Sequence, residues 1–251
     1  MELTVLGASG SVSGAGEPAS SYLVRAGDVR LVLDLGPGAF GALWAALDPR
    51  EVTAYLISHL HPDHCLDLCA ANVAARHSPT APWPKVPVLA PAHARARLDR
   101  ANGPDPTLTP TDWAFDFQPW QNTQQIGAVQ VSTTRTAHPT ETYAMRLEHD
   151  GVSLTYTADT GWSDDVVELA EGTDLLLAEA AFVDRPGLPG GLHLTGREAG
   201  RMAARAGVGQ LGITHVPPWH SVDDAVAEAA TEFDGPIHAA SRDRIHRLVA
   251  G

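Results

Sequence analysis

The chain has 251 residues and a formal net charge of −13, from 17 Lys and Arg against 30 Asp and Glu. An extended nucleic-acid footprint is not expected, because proteins that grip many phosphates do so with Lys and Arg. The chain shows no run long and apolar enough to span a membrane and only two cysteines, Cys65 and Cys69, so we expect a cytoplasmic protein. A hydrophobic share of 44% over this length predicts one domain, residues 1–251.

Short apolar runs between Gly-rich turns predict the strands of the first half. These strands are expected at 2–7, 21–26, 29–34, 53–58 and 86–90. Helices are predicted near 38–47, from Pro62 to about His77, and over 92–101, and Pro62 suits a first helical position. The region 102–125, rich in Pro, Asp, Thr and Gln, is predicted to be irregular.

In the second half, as in the first, apolar runs typical of strands precede helical patterns. Strands are expected at 128–136, 142–149, 152–157, 174–180 and 211–215, with 236–241 as the last of them. Helices are expected at 163–171, 195–207 and 221–233. Two sheets that face each other, with helices outside, are the economical way to bury these elements.

Seven polar residues follow predicted strands. The segment SHLHPDH places His59, His61, Asp63 and His64 directly after one strand, and His138, Asp159 and His215 each follow another. One reading is a polar loop that happens to be rich in His. The convergence of strand ends instead favours a metal site, since imidazole and carboxylate suit zinc or a similar divalent ion and one carboxylate can bridge two ions.

The motifs SHLHPDH, TAHPTE, TADTG and THVPPW resemble the successive motifs of the metallo-β-lactamase fold hydrolases. The stretches LLLAEAAF (175–182) and GLHLTGREAG (191–200) resemble the ribonuclease Z-like branch. The whole chain is most similar to the actinobacterial atypical class II cyclic nucleotide phosphodiesterases, through LGASGSV near the start, HPT after His138 and the HVPPW segment.

This resemblance implies a fold and a set of roles. The fold is a four-layer αββα sandwich of two facing mixed sheets with helices outside. Two divalent ions, zinc or else manganese, are implied, with a hydroxide between them as nucleophile. The implied ligands are His59, His61 and His138 at one ion, Asp63, His64 and His215 at the other, and Asp159 between them; Asp63 is also placed among the catalytic residues.

The same branch implies a proton donor outside the ligand set. His193 is expected to act on the leaving oxygen, with Glu179 holding its ring. Thr195 and Glu198 have the spacing of a capping box, so His193 is expected just before a helix. Asp34 and Asp67 are predicted to support ligand imidazoles.

Only twenty residues separate His138 from Asp159, which leaves no room for the tRNA-clamping arm of ribonuclease Z enzymes. We therefore expect a small phosphodiester substrate, with cyclic AMP opened to 5′-AMP. The alternatives are a ribonuclease Z-like nuclease acting on RNA 3′ ends and a non-catalytic binding module.

The sequence also offers residues that could contact a substrate. Trp219, Ser9 and Ser11 are the predicted substrate contacts, and Trp162 lies near enough to Asp159 to line the same pocket. Association of two copies into a homodimer is a further expectation.

Overall fold

Two mixed β-sheets form the centre of the protein. The computed structural model describes residues 1–105 and 110–249, and over these residues each sheet has seven strands. The strands are β1 (Glu2–Gly7), β2 (Ser21–Ala26), β3 (Val29–Leu33), β4 (Ala54–Leu56), β5 (Val86–Ala90), β6 (Phe115–Pro119), β7 (Thr123–Ile126), β8 (Val129–Arg135), β9 (Tyr143–His149), β10 (Val152–Tyr156), β11 (Leu175–Glu179), β12 (Leu211–Thr214), β13 (Ile237–Ala239) and β14 (Ile245–Arg247).

The first sheet has the order β14-β1-β2-β3-β4-β5-β6, and the second has the order β13-β12-β11-β10-β9-β8-β7. Pairing is antiparallel from β14 to β3 and parallel from β3 to β6. In the second sheet β7 to β10 are antiparallel and β10 to β13 are parallel. The parallel strands therefore end on a common edge in each sheet, where long connections can carry functional side chains.

Helices cover the outer face of each sheet. They are α1 (Ala39–Ala46), α2 (Pro62–Cys65), α3 (Asp67–His77), α4 (Ala94–Asn102), α5 (Asp164–Leu169), α6 (Gly196–Ala206) and α7 (Val222–Ala229). Alternate side chains of one strand enter different cores: Leu31 and Leu33 of β3 face the other sheet, whereas Val32 packs under the helices. This alternation builds the four-layer αββα sandwich, which confirms the expected fold.

The region expected to be irregular carries regular structure. A 3-10 turn (Thr111–Trp113), β6 and all but the last residue of β7 lie between residues 102 and 125, while residues 106–109 fall outside the described part of the chain. Phe115 of β6 packs its ring 5.8 Å from Tyr55. Pairing with β5 along the whole of β6 outweighs a local composition that disfavours strands.

Two other boundaries differ from prediction. The helix expected from Pro62 to His77 is interrupted at Leu66, because the N–H of Asp67 donates to Leu35 O at 3.0 Å instead of continuing the helical ladder. The run 236–241 is not the last strand, since β14 adds antiparallel to β1. β14 is only three residues long, so its local sequence signal is weak. Over the described residues, no helix is both long and apolar enough to cross a membrane.

Candidate metal centre

The seven residues that the sequence predicts to be ligands meet where strands of both sheets end. His59 to His64 lie between β4 and α3, His138 follows β8, Asp159 follows β10 and His215 follows β12 directly. Their ligand atoms form two neighbouring groups, each with atoms within 4.8 Å of one another.

The first group contains His59, His61, His138 and Asp159. Nε2 of His59 lies 3.0 Å from Nδ1 of His61, which lies 3.4 Å from Nε2 of His138. Oδ2 of Asp159 lies 3.6 Å from Nε2 of His59. Three imidazoles and one carboxylate oxygen thus converge on a single point.

The second group contains Asp63, His64 and His215. Nε2 of His215 lies 3.1 Å from Nε2 of His64 and 3.2 Å from Oδ2 of Asp63. Oδ1 of Asp159 lies 3.2 Å from Nε2 of His64. The two oxygens of Asp159 therefore face different groups, which is the arrangement required of a bridging carboxylate.

The donor atoms of both groups fit divalent cations. Oδ1 of Asp159 is buried and accepts no hydrogen bond among the described residues, an arrangement that is costly for a carboxylate unless a cation satisfies it. Several imidazole nitrogens face one another at 3.0 to 3.4 Å, and a metal ion placed among them would accept their lone pairs together. Nitrogen with carboxylate oxygen is the ligand chemistry of zinc and related ions.

The outward nitrogens of three histidines are already engaged. Nδ1 of His59 lies 3.0 Å from Ser58 Oγ, Nδ1 of His64 lies 2.8 Å from Asp34 Oδ2, and Nδ1 of His138 lies 2.9 Å from Leu192 O. Donation from Nδ1 fixes each ring in the tautomer whose Nε2 carries a free lone pair.

Asp34 lies against His64 as predicted, but Asp67 has no hydrogen bond or ion pair to an imidazole among the described residues. Asp67 instead accepts a hydrogen bond of 2.9 Å from the backbone N–H of Phe40, at the start of α1. The prediction for Asp67 was wrong because its nearness to the histidines in sequence does not set the direction in which α3 points its side chain.

Electrostatics favour the metal-binding forms of His59, His61, His138 and Asp159, whereas the charges of Asp159 and Asp34 outweigh burial and raise the pKa of His64. Burial lowers the pKa of His59, His61 and His138, which keeps these rings neutral. Burial alone would raise the pKa of Asp159, but the neighbouring His215 and His64 outweigh it and hold the pKa well below its usual range. Neutral imidazole and ionised carboxylate are the ligand forms that metals require.

His193 and Glu179 form a pair beside the two groups. Nδ1 of His193 lies 2.8 Å from Oε1 of Glu179, whose carboxylate also accepts hydrogen bonds from the backbone N–H of Thr160 and of Ala181. Burial would lower the pKa of His193, but the hydrogen bond and charge of Glu179 outweigh it and raise the pKa. His193 is therefore held as a proton carrier.

The ring of His193 lies beside both groups of expected ligands. Its centroid lies 5.5 Å from that of His138 and 5.7 Å from that of His215. The predicted capping box is present at the start of α6, where Thr195 and Glu198 bond reciprocally. The helix entry thus fixes the chain directly after His193.

The predicted substrate contacts occupy different environments. The hydroxyl of Ser9 is buried and donates to Val12 O at 2.6 Å, while the N–H of Ser11 lies 3.4 Å from Nε2 of His215. Trp219 is 62% exposed and lies in the loop after His215. Their roles toward a substrate stay predictions.

A cavity of about 570 Å³ opens beside His193. Trp162 lines it, together with Phe182 and Arg185. The sequence reasoning assigned no role to Phe182 or Arg185. Phe182 closes the AEAAF motif, so that motif was an available signal, whereas the position of Arg185 depends on the path of the connection before α6.

Comparisons with known proteins agree with the geometry. Residues 29–216 match the model of the Beta-lactamase superfamily domain, and the chain belongs to this family. "Uncharacterized protein ML1173" of Mycobacterium leprae (strain TN) is 45% identical over 244 residues, covering 95% of this chain and 86% of that protein. "Probable metallo-hydrolase YhfI" of Bacillus subtilis (strain 168) is 30% identical over 241 residues, covering 96% of this chain and 97% of that protein.

The crystal structure of the Bacillus subtilis protein superposes with a TM-score of 0.85, covering 98% of each chain at 27% identity. A protein named Ribonuclease Z from Mycolicibacterium gilvum (strain PYR-GCK) is 28% identical over 277 residues, covering 99% of this chain and 96% of that protein. The fold, the family and the His/Asp clusters together define a metal-dependent hydrolase of the metallo-β-lactamase superfamily.

Proposed function

We propose that this hydrolase is a dinuclear phosphodiesterase that opens a cyclic nucleotide, converting cyclic AMP to 5′-AMP. The observation that carries the proposal is the position of Asp159, whose two oxygens face two separate ligand groups. A site that holds two cations around one carboxylate suits a phosphodiester, because its negative charge increases as a nucleophile attacks.

Two divalent ions, with zinc proposed and manganese as the alternative, would be held by the residues of the two groups. When bound, they would supply a nucleophile from water at neutral pH and neutralise charge on the phosphoryl oxygens. The protein would contribute rigidity, since Ser58, Asp34 and the carbonyl of Leu192 orient the imidazoles before any ion arrives.

His193 would donate the proton that the leaving oxygen needs. Its Nδ1 is tied to Glu179, so Nε2 is the nitrogen available to a substrate. In a cyclic 3′,5′-nucleotide that loses its P–O3′ bond, the 3′-oxygen would take this proton and the phosphate would stay on the 5′-oxygen. Glu179 is a positioning residue, because it is fully buried and acts through His193.

Two observations support a small substrate. The residues between His138 and Asp159 are used by the hairpin of β9 and β10, which leaves no room in this segment for an arm that would hold RNA. The net charge of −13 also disfavours a long polyanion. The full set of ligands argues against a binding module that has lost catalysis.

A ribonuclease Z-like nuclease acting on RNA 3′ ends is the second candidate, and the 28% identity to the Mycolicibacterium gilvum protein favours it. The two candidates differ in one experiment. The metal-loaded protein is incubated in parallel with cyclic AMP, cyclic GMP and a precursor tRNA, and products are followed by chromatography. We expect 5′-monophosphates from both cyclic nucleotides, with weak base selectivity, and no trimming of the tRNA.

Rapid 3′ trimming of the tRNA with no loss of either cyclic nucleotide would overturn the proposal in favour of the nuclease. A cytoplasmic location and a homodimer stay predictions. Fractionation of the native cells and light scattering of the purified protein test them.

A further inference from the structure

The cavity beside His193 borders the ring that is proposed to protonate the leaving oxygen. His193 lines the cavity, and Phe182 packs edge-on against its ring at a centroid distance of 5.2 Å. At about 570 Å³ the cavity falls in the range of roughly 300–1,000 Å³ that is typical of small-molecule sites. A proton donor on the wall of such a cavity indicates that the alcohol it protonates lies inside.

The positive charges in the cavity wall differ in how they are compensated. Arg197 pairs with Asp184 at 2.7 Å and with Glu232 at 3.2 Å, and Arg201 lies 3.6 Å from Glu232. Arg185 has neither an ion pair nor a hydrogen bond to any residue that the structure describes. Its guanidinium is therefore free to meet an anion that enters the cavity.

One wall of the cavity is a fixed aromatic ring. The indole N–H of Trp162 donates to Asp164 Oδ1 at 3.1 Å, which holds the ring in place. Gly161 lines the cavity beside it, and a Cβ at this position would lie 2.8 Å from the backbone of Gly191. The wall and the connection before α6 are thus in close contact, and around the cavity they bring together an aromatic surface, a proton donor and the exposed guanidinium of Arg185.

We infer that this cavity is the leaving-group subsite and that Arg185 makes it select phosphodiesters whose leaving alcohol carries a second phosphate. The inference rests on the proposed phosphodiesterase activity and names a substrate class for it. A linear dinucleotide with a 5′-phosphate belongs to this class. Its leaving fragment is a nucleoside 5′-monophosphate, whose base would lie against Trp162 and whose phosphate would meet Arg185.

The reaction balances with water as the only co-reactant. Water adds to phosphorus, the P–O3′ bond breaks, and the leaving 3′-oxygen takes a proton from His193. The dinucleotide pApA and one water give two molecules of 5′-AMP. The matched substrate ApA differs only in lacking the terminal 5′-phosphate, so it gives adenosine and 5′-AMP.

The test compares kcat/KM for pApA and ApA in the metal-loaded protein, its R185Q variant and an R100Q control. Arg100 is exposed on α4 and lines none of the cavity, so its loss changes net charge equally. We expect the wild type to favour pApA by roughly tenfold or more, the size of one charge-assisted contact. R185Q should reduce this ratio to about two or less through a lower kcat/KM for pApA, and R100Q should keep the ratio.

Equal kcat/KM for both substrates in the wild type, or a preference that survives in R185Q, would overturn the subsite while leaving the proposed phosphodiesterase intact. Equilibrium binding gives an independent readout by calorimetry with 5′-AMP and adenosine. We expect R185Q to weaken the binding of 5′-AMP by roughly tenfold and to leave the binding of adenosine unchanged. Identical affinities for the two ligands would contradict the inference even if no dinucleotide were hydrolysed.

Discussion

The phenol of Tyr156, at the end of β10 in the second sheet, donates a hydrogen bond of 3.0 Å to Oδ2 of Asp34, which follows β3 in the first sheet. The same oxygen lies 2.8 Å from Nδ1 of His64. Both side chains are fully buried. The hydrogen bond from Tyr156 thus links the second sheet to Asp34, and Asp34 in turn orients His64, an expected metal ligand.

Replacing Tyr156 with Phe removes that hydrogen bond and keeps the ring. We expect Y156F to weaken the binding of one of two metal ions by roughly tenfold, the usual effect of losing support behind a ligand. Competition with a chromogenic chelator measures this affinity directly. Y55F serves as the control, because Tyr55 is buried on the opposite face of the first sheet; equal losses in both variants would contradict the role of Tyr156.

A substitution at His193 tests proton transfer separately from metal binding. H193A should retain both ions, since His193 is proposed as a proton donor, while turnover of substrates with alkoxide leaving groups falls by roughly a hundredfold or more. Nitrophenyl esters should suffer less, because nitrophenolate needs no proton to depart. Metal analysis and the two rates are measured on the same preparation, and an equal loss on both substrate types would remove the assignment.

Gly36 has no functional side chain, but its backbone packs against the segment that holds the second ligand group. A Cβ at this position would lie 2.0 Å from the backbone oxygen of Asp63, so G36A must displace the segment that carries Asp63 and His64. We expect one metal equivalent to be lost and hydrolysis to fall at least tenfold. G41A on α1 is the control, since a Cβ there meets nothing within 4 Å; full occupancy in G36A would contradict the prediction.

The local sequence was enough to predict which His and Asp side chains lie together, but not which residues form the wall of the cavity. His59, His61, Asp63 and His64 sit in one short segment, so any compact path of the chain brings them together. Arg185 and His193 are joined by a connection whose course depends on its contact with Gly161, which no local pattern encodes. Asp67 shows the same limit, because the direction of its side chain depends on the break at Leu66.

Strands were predicted where apolar runs were long enough to bury two faces. β6, β7 and β14 were not, since they are stabilised by pairing with β5, β8 and β1, and short edge strands need little apolar sequence of their own. The prediction that two sheets face each other followed from the number of predicted strands. The contact between Tyr156 and Asp34 required the register of both sheets, which only the folded chain provides.

His246 of β14 gives a stability prediction that does not depend on the metal centre. Its Nε2 is buried with no hydrogen-bond partner among the described residues, and burial lowers the pKa of the ring to about 4. At pH values between the ordinary histidine pKa of about 6.5 and this lowered pKa, the ring is protonated in the unfolded chain but not in the folded chain. The free energy of unfolding therefore falls as the pH falls through that range.

Chemical unfolding at pH 7 and pH 5, with chelator present throughout, measures the effect. The wild type should lose about 2 kcal/mol more than H246Q over this interval. H77Q, at an exposed position on α3, should behave as the wild type. An identical loss in the wild type and H246Q would contradict the prediction.

The most direct test of the account is a titration of the chelated protein with zinc, in which bound metal and phosphodiester hydrolysis are measured at each addition. Because Asp159 faces both ligand groups, we expect activity to rise until two equivalents per chain are bound, and D159A to reach neither full occupancy nor measurable hydrolysis. Full activity of the wild type with a single bound ion, or an active D159A, would contradict the dinuclear phosphodiesterase.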